Sequence, residues 1–264
     1  MPTANINGID IAYTDEGSGT PVVFIHGYPL NRTMWDAQVK GLSGRARTVA
    51  IDLRGHGESQ APIWLTSVDI YADDVRGLLD NLGIDKAVIC GFSMGGYVAF
   101  AFLRRYPERV RGLILADTRP QPDAPEGKAG RFQSALTAQN QGVGAIAEAM
   151  IGRLVSQKSL DERPQLVQRV KDMMLSTPVQ GIAGDLMSMA ERPDSVAMLP
   201  TIKVPTLVIV GERDGLTPPA DSQLMAERIA GAKLEVIPGA AHVANMEEPE
   251  IFNKAVGDFV ASLP

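Results

Sequence analysis

Short apolar runs, each bounded by glycine, proline or charged residues, recur along almost the whole chain and constrain its fold more than any other feature. They are nearly continuous rather than alternating, which is typical of strands buried on both faces of a parallel sheet. A further edge strand is expected over Ile9–Tyr13. The six runs are Val22–Ile25, Thr48–Ile51, Ala87–Cys90, Leu113–Ala116, Thr206–Val210 and Leu234–Ile237.

Helical patterns fill several of the gaps between these runs. In Val68–Leu82 the apolar residues recur about every 3.6 positions, as they do on the buried face of a helix. Helices are also expected over Met94–Tyr106, which Pro107 ends, and over Pro219–Ala230 and Pro249–Leu263, which begin with prolines suited to a first helical turn. This alternation of strand and helix predicts an α/β fold with a mostly parallel, doubly wound sheet.

The stretch from Thr118 to about Pro200 interrupts this rhythm because it contains no convincing strand. A long helical insertion between two strands is best explained as a lid over the sheet edge where the strands end. The sequence therefore predicts a core of residues 1–118 and 201–264 and a helical lid of residues 119–200. Helices are expected in the lid over Gly127–Asn140, Val143–Leu154, Pro164–Leu175 and Val179–Ala190.

Composition narrows the class of partner. The chain has 264 residues and a net charge of −6, which argues against nucleic acid or an anionic membrane surface as a partner. No apolar stretch is long enough to span a membrane. The single cysteine, Cys90, excludes an intrachain disulfide, and the polar N-terminus lacks a signal-peptide pattern, so a cytoplasmic location is expected. The oligomeric state is left open, a homo-oligomer being compatible with the sequence.

Residues 91–95 read G-F-S-M-G, which matches the pattern G-x-S-x-G, and they lie between an expected strand and an expected helix. A serine on so sharp a turn needs small neighbours, and Gly91, Gly95 and Gly96 meet that need. The start of the following helix supplies a free N–H and a partial positive charge where an oxyanion would form. The pattern therefore indicates Ser93 as a nucleophile. The alternative is a glycine-rich turn that only lets strand and helix pack closely.

A serine nucleophile needs a base, usually histidine, and an acid that orients the base. Only one of the three histidines, His242, follows Ser93, as the chain order serine, acid, histidine of such sites requires. The acid should follow a strand between these two residues. Asp214 is favoured, and Asp117, one strand earlier, stays open as the alternative because a sequence cannot measure geometry.

Other residues carry weaker signals. Cys90 is expected to be a buried strand residue, while Trp35 and Phe92 flank the expected site and are candidates for shaping the acyl pocket. The histidines are scattered and no H-x-x-x-H or C-x-x-C pattern occurs, so neither a metal nor a cofactor is expected. Methionines of the lid are expected mainly to pack it, with some lining an adaptable pocket: Met150, Met173, Met174, Met187, Met189 and Met198.

Five motifs are spread over nearly the whole chain: His26-Gly27-Tyr28-Pro29, D-L-R-G-H-G-E-S over 52–59, G-F-S-M-G-G over 91–96, G-E-R-D over 211–214, and Ala241-His242. Taken together, they resemble the α/β-hydrolase superfamily. The similarity is greatest to the branch of carboxylesterases, enol-lactonases and cofactor-free haloperoxidases or perhydrolases. Serine at position 93 departs from the dehalogenases and epoxide hydrolases of this fold, which have aspartate there, and from dienelactone hydrolases, which have cysteine.

The resemblance implies an oxyanion hole made by the backbone N–H groups of Tyr28 and Met94. It also implies that His26 braces the loop of that hole, and that Arg54 and His56 hold loops at the sheet edge. The function expected is a serine hydrolase that cleaves a small carboxylic ester or lactone without a cofactor. The alternatives are a perhydrolase or cofactor-free haloperoxidase, a C–C bond hydrolase or lyase, and a ligand-binding receptor on the same fold.

Overall fold

A mostly parallel sheet of eight strands forms the centre of the protein in the computed structural model, which describes residues 2–61 and 66–264. Each apolar run predicted from the sequence lies in one of these strands, and the expected α/β sheet is confirmed. The strands are β1 Thr3–Ile6, β2 Ile9–Glu16, β3 Pro21–Ile25, β4 Arg47–Ile51, β5 Ala87–Phe92, β6 Val110–Ala116, β7 Thr206–Gly211 and β8 Lys233–Ile237.

The order across the sheet is β1-β2-β4-β3-β5-β6-β7-β8. The pairs β1–β2 and β2–β4 are antiparallel, and the remaining neighbours, from β4 to β8, are parallel. The carboxyl ends of the parallel strands therefore meet at one edge. The loops that follow β3, β5, β6, β7 and β8 all leave from that edge, so residues far apart in sequence come together there.

Helices cover both faces of this sheet, and the bounds of the predicted helices lie within a few residues of the observed ones. Ser67 caps α2 by accepting a bond from the Ile70 N–H at 3.2 Å, and four helices begin with proline, which suits a first helical turn. The helices are α1 Asp36–Leu42, α2 Val68–Asn81, α3 Met94–Arg105, α4 Pro125–Gln141, α5 Val143–Leu154, α6 Gln157–Glu162, α7 Pro164–Ser176, α8 Val179–Ala190, α9 Pro219–Arg228, α10 Ala244–Glu247 and α11 Pro249–Ala261.

The core lies on both sides of the sheet. In β3, Val23 and Ile25 face one apolar cluster, which includes α2 and α3, while Val22 and Phe24 face a second cluster, which includes α1 and α11. All four side chains are fully buried. A strand that contributes to two cores has to be apolar at every position, which explains the continuous runs in the sequence.

Strand β8 departs from the expectation that each run is buried on both faces. It is the last strand of the sheet and pairs only with β7, so most of its residues are partly or fully exposed, and Val236 is 40% exposed. The short elements β1, α1, α6 and α10 were not predicted, because runs of four to seven residues give too little periodicity to recognise.

Helices α4 to α8 lie in the chain between β6 and β7, in the stretch predicted to contain helices only. Helix α4 packs against α5 and α8, and α5 packs against α7. Two residues of the loop after β4 bind neighbouring helices, whereas the family resemblance implied that they hold loops at the sheet edge. Arg54 binds Asp74 of α2 through two bonds of 2.6 and 2.7 Å, and His56 Nε2 lies 2.8 Å from Asp185 Oδ2 of α8.

Within the described residues, no helix combines the length and the apolar character that crossing a membrane requires.

Candidate active site

Ser93 lies at the tip of the turn between β5 and α3, with φ of 51° and ψ of −113°. This is an unfavourable backbone region for a residue with a side chain, and it turns the serine out of the strand toward the sheet edge. A Cβ on Gly91 would collide with the Gly95 carbonyl, and a Cβ on Gly95 would collide with the Ile25 carbonyl. The glycines are therefore required by the closeness of the backbone segments, as the motif predicted.

The turn is held by the neighbouring strand. The Ser93 N–H donates to the Ala116 carbonyl at 3.0 Å, and the Ser93 carbonyl accepts from Thr118 Oγ1 at 2.7 Å and from the Gly96 N–H at 2.9 Å. These bonds fix the strained residue from both sides. The Ser93 side chain itself remains partly exposed, in contrast to its buried neighbours.

The structure brings the three predicted residues Ser93, His242 and Asp214 together at the carboxyl edge of the sheet. His242, in the loop after β8, has Nε2 2.9 Å from Ser93 Oγ and Nδ1 2.8 Å from Asp214 Oδ2. A carboxylate only accepts, so Nδ1 carries the proton of this bond and Nε2 is left to accept from the serine hydroxyl. His242 and Asp214 are almost fully buried. The arrangement has the contacts of a nucleophile, a base and an orienting acid.

Asp214 is held by a local turn as well as by His242. Its Oδ1 accepts from the backbone N–H groups of Leu216 and Thr217 at 2.8 and 3.0 Å, and its Oδ2 accepts from Thr217 Oγ1 at 2.6 Å. Burial alone would raise the pKa of Asp214, but the charge and hydrogen bond of His242 and the Thr217 bonds lower it below its ordinary value. Asp214 therefore stays ionised beside His242.

Asp117, the alternative acid, makes no hydrogen bond to His242. It lies at the end of β6, fully buried, and its Oδ1 accepts from the Gly211 N–H at 2.8 Å. Burial, and then the charge of Asp214, raise the pKa of Asp117 well above its ordinary value. The geometry thus favours Asp214 over Asp117 as the partner of the imidazole.

Asp117, Asp214 and His242 are also the group, within the described ranges, whose oxygen and nitrogen atoms are close enough to share a metal ion, lying within 4.8 Å of one another. Several of these atoms are already engaged. His242 Nδ1 bonds to Asp214, and Asp117 Oδ1 accepts from a backbone N–H. Within this cluster, the hydrogen bond from His242 Nδ1 to Asp214 orients the imidazole.

Two backbone N–H groups are available near the serine hydroxyl. Met94 is the first residue of α3, so its N–H has no acceptor within the helix. The Gly27 carbonyl accepts from the Leu30 N–H at 2.9 Å, and the N–H of Tyr28 points the opposite way from the same trans peptide group. The loop lies against the serine, since a Cβ on Gly27 would come within 2.9 Å of Ser93 Cβ.

His26 braces this loop with both ring nitrogens. Its Nε2 accepts from the Leu53 N–H at 3.0 Å, so Nδ1 carries the proton and donates to the Gly27 carbonyl at 3.0 Å. Burial, and then the charge of His56, hold the pKa of His26 well below its ordinary value. A neutral imidazole with both nitrogens engaged serves the loop geometry rather than proton transfer, as the resemblance implied.

Sequence reasoning missed two residues of the site, Thr217 and Glu247. Thr217 could have been found, because D-G-L-T over 214–217 is the spacing at which an aspartate accepts bonds from the backbone two and three residues on. Glu247 is buried in α10. Its Oε2 accepts from the Ala241 N–H at 2.6 Å, and its Oε1 accepts from the Ser156 N–H at 2.8 Å. It thereby connects the histidine loop to the segment between α5 and α6, a contact that no local sequence pattern predicts.

A cavity of about 430 Å³ opens onto Ser93 and His242 between the sheet edge and the helices of residues 119–200. Two of the six methionines in residues 119–200, Met150 and Met189, line it. The size falls within the range typical of small-molecule sites. The cavity wall thus combines residues that precede the long insertion in the sequence, such as Ser93, residues within it, such as Met150, and residues that follow it, such as His242.

Trp35 and Phe92 do not lie at the cavity wall, which corrects the expectation that they shape the acyl pocket. Both are fully buried. Trp35 packs among Phe24, Phe92 and Phe252, with ring centroids 4.9 to 6.3 Å away. The Phe92 ring lies 4.9 Å from that of His242, behind the site. Residue 92 belongs to β5 and points into the core, so proximity in sequence to Ser93 does not give access to substrate.

The family model described as the alpha/beta hydrolase fold matches residues 20–249, so the chain belongs to the α/β-hydrolase family. A thermophilic esterase from Thermogutta terrifontis, with malate bound, is 42% identical, with a TM-score of 0.95 and coverage of 98% of this chain and 97% of the other. The 3-oxoadipate enol-lactonase 2 of Acinetobacter baylyi is 31% identical over 255 residues, covering 96% of this chain and 93% of the relative. The bromoperoxidase of Bacillus anthracis is 25% identical, with a TM-score of 0.88 and coverage of 99% of each chain.

Proposed function

We propose that the protein hydrolyses small carboxylic esters or lactones through an acyl-enzyme formed on Ser93. The observation that carries the proposal is the continuous contact of Ser93 Oγ, His242 and Asp214 at the wall of a cavity. The more general expectation, that the protein is an enzyme that hydrolyses ester bonds, is confirmed by relatives named as an esterase and an enol-lactonase. The serine mechanism and the role of each residue are our inference from the geometry.

The first half-reaction transfers the acyl group to the serine. His242 Nε2 takes the proton of Ser93 Oγ as this oxygen bonds to the carbonyl carbon and the carbonyl electron pair moves onto oxygen. The tetrahedral intermediate then collapses, the bond to the leaving oxygen breaks, and that oxygen receives the proton from His242. Asp214 holds the imidazole in the required tautomer and stabilises its protonated form.

The second half-reaction restores the enzyme. Water loses a proton to His242 as it attacks the acyl carbon, and the proton returns to Ser93 Oγ when the acid is released. In both halves the N–H groups of Met94 and Tyr28 are assigned to bind the oxyanion, a contribution of about 3 kcal/mol per donor in comparable sites. Apart from substrate and water, every reacting or stabilising group in this scheme belongs to the chain itself.

We further propose that residues 119–200 act as a lid on a core formed by residues 1–118 and 201–264. The support is that Arg131, Met150 and Met189, all from this stretch, share the cavity wall with Ser93 and His242. On this proposal the core supplies the chemistry and the lid sets which acyl and alcohol groups fit.

The test is hydrolysis of p-nitrophenyl acetate, butyrate and octanoate by the wild type and by Ser93→Ala. The wild type is expected to turn over, with a chain-length preference that measures the cavity. Ser93→Ala should lose about 10⁵-fold or more in kcat, since a serine nucleophile cannot be replaced by its neighbours. Near-normal turnover by a folded Ser93→Ala would contradict the proposal, and folded wild type that binds these esters without turnover would favour a ligand-binding receptor.

A second candidate function is perhydrolysis, in which hydrogen peroxide replaces water in the second half-reaction. The bromoperoxidase relative favours it. The same acyl-enzyme on Ser93 would release a peracid instead of an acid. Peracid formation from acetate and peroxide, compared with ester hydrolysis by the same preparation, distinguishes the two.

A further inference from the structure

The wall of the cavity at Ser93 is positively charged, although the chain as a whole carries a net charge of −6. Among the described residues that line it are three arginines, Arg119, Arg131 and Arg153, and one aspartate, Asp123. Three positive groups against one negative group leave a formal charge of +2. A basic wall in an acidic protein attracts an anion specifically to that place.

The aspartate cannot neutralise the arginines around it. Asp123 accepts bonds of 2.8 Å from Arg119 Nη2, from Arg131 Nε and from Arg192 Nη2, which comes from behind the wall. One carboxylate is therefore shared by three guanidinium groups. Arg131 uses only Nε in this contact, and its two terminal nitrogens make no hydrogen bond within the described ranges. They remain available to a second carboxylate.

Arg153 is the cavity arginine with no ion pair at all in the described part of the chain. It is exposed in the last turn of α5. The next residue, Leu154, accepts a 3.0 Å bond from the N–H of Val243, which follows His242. This bond holds the end of α5 against the histidine loop, and Arg153 lines the same cavity as Ser93 and His242.

We propose that this cavity takes esters or lactones that carry a carboxylate, and that Arg153, assisted by the free end of Arg131, binds that carboxylate. The proposal rests on the proposed ester hydrolysis and names its substrate class. Arg153 is the specificity-determining residue because its charge is uncompensated, whereas Arg131 also holds Asp123. A guanidinium presents parallel N–H donors that match the two carboxylate oxygens.

The test compares two pairs of esters that differ in charge. In the first pair the acyl group differs: the p-nitrophenyl half-ester of glutaric acid carries a carboxylate and p-nitrophenyl valerate does not. In the second pair the leaving group differs: 4-acetoxybenzoate carries a carboxylate and phenyl acetate does not. The anionic-to-neutral ratio of kcat/KM in at least one pair should fall about fivefold in Arg153→Gln, the size expected for a partly exposed ion pair.

Two control variants separate a specific contact from a general effect of charge. Arg153→Lys keeps the charge but loses the parallel N–H donors, so its ratio should fall less than that of Arg153→Gln. Arg228→Gln removes an exposed arginine of α9 that does not line the cavity, and it should leave the ratio unchanged. An unchanged ratio in Arg153→Gln for both pairs, or an equal fall in Arg228→Gln, overturns the proposal.

Failure of the proposed function gives a different result, because then no ester of either pair is hydrolysed by the folded wild type. Calorimetric titration with glutarate measures the subsite without turnover. Weaker glutarate binding to Arg153→Gln than to wild type and Arg228→Gln supports the proposal. Absence of binding to wild type, or equal binding to all three proteins, overturns it.

Discussion

Two aspartates within one cluster have their pKa values shifted in opposite directions by their surroundings. Asp214 accepts two backbone bonds, a hydroxyl bond and the imidazole bond, which together lower its pKa against the effect of burial. Asp117 accepts one backbone bond, but burial, followed by the charge of Asp214, raises its pKa well above its ordinary value. Hydrogen bonding to the charged form, rather than residue type, decides which carboxyl can stabilise a protonated His242.

This contrast predicts unequal effects of two matched substitutions. Asp214→Asn should lower kcat by about 10⁴-fold, because the amide favours the wrong imidazole tautomer. Asp117→Asn should cost less than about tenfold, since a neutral amide oxygen still accepts from the Gly211 N–H and asparagine tolerates positive φ. The measurement is kcat on the best p-nitrophenyl ester at neutral pH. The opposite ranking would make Asp117 the orienting acid.

At the scale of elements, a buried polar network joins the core to the inserted helices. The loop after β4 contributes His56, α2 contributes Tyr71, and both contact Asp185 of α8: Nε2 of His56 at 2.8 Å and the Tyr71 hydroxyl at 2.5 Å. His56 Nδ1 lies 3.1 Å from the Arg54 carbonyl. All three side chains of the network are fully buried. Burial lowers the pKa of His56, but the charge and hydrogen bond of Asp185 outweigh it and the pKa is raised overall.

His56 and His26 should therefore lose their protons at different pH values. His56 should stay protonated above its ordinary pKa of 6.5, while His26 should stay neutral well below it. Stability supplied by charged His56 is fully present below the unfolded pKa and is lost as pH rises through the raised folded pKa. Long-range ¹H–¹⁵N NMR of the imidazoles, with His56→Gln and His26→Gln for assignment, measures both. Titration of His56 at or below 6.5 would contradict the raised pKa.

The individual elements also show which features could be predicted from the sequence and which could not. Long periodic segments such as Val143–Leu154 and Val179–Ala190 were predicted with their observed bounds, because the amphipathic pattern and the flanking residues agree. The G-x-S-x-G motif over residues 91–95 also predicted the turn at Ser93. Glu247 could not be predicted, because its role depends on where α6 and the histidine loop lie relative to α10, which only tertiary packing decides.

At the scale of the whole molecule, the sheet edge assembles a site from loops that are distant in sequence. Position in the chain identified Ser93 and His242, yet it misassigned Trp35 and Phe92, because access to the cavity depends on which face of an element a residue occupies. The arginines of the wall were not singled out either, because only tertiary packing decides which arginines of the chain face the cavity. The nucleophile and base were therefore easier to infer from the sequence than the residues that line the cavity.

The central claim is that Ser93 is the nucleophile of an acyl-enzyme, and covalent labelling tests it most directly. Wild type and Ser93→Ala are each treated with a fluorophosphonate, which reacts with activated serines, and intact and peptide masses are measured. The account predicts a single adduct on wild type, located on the peptide that contains Ser93, and none on folded Ser93→Ala. Folded wild type without an adduct, or an adduct that persists in Ser93→Ala, would contradict it.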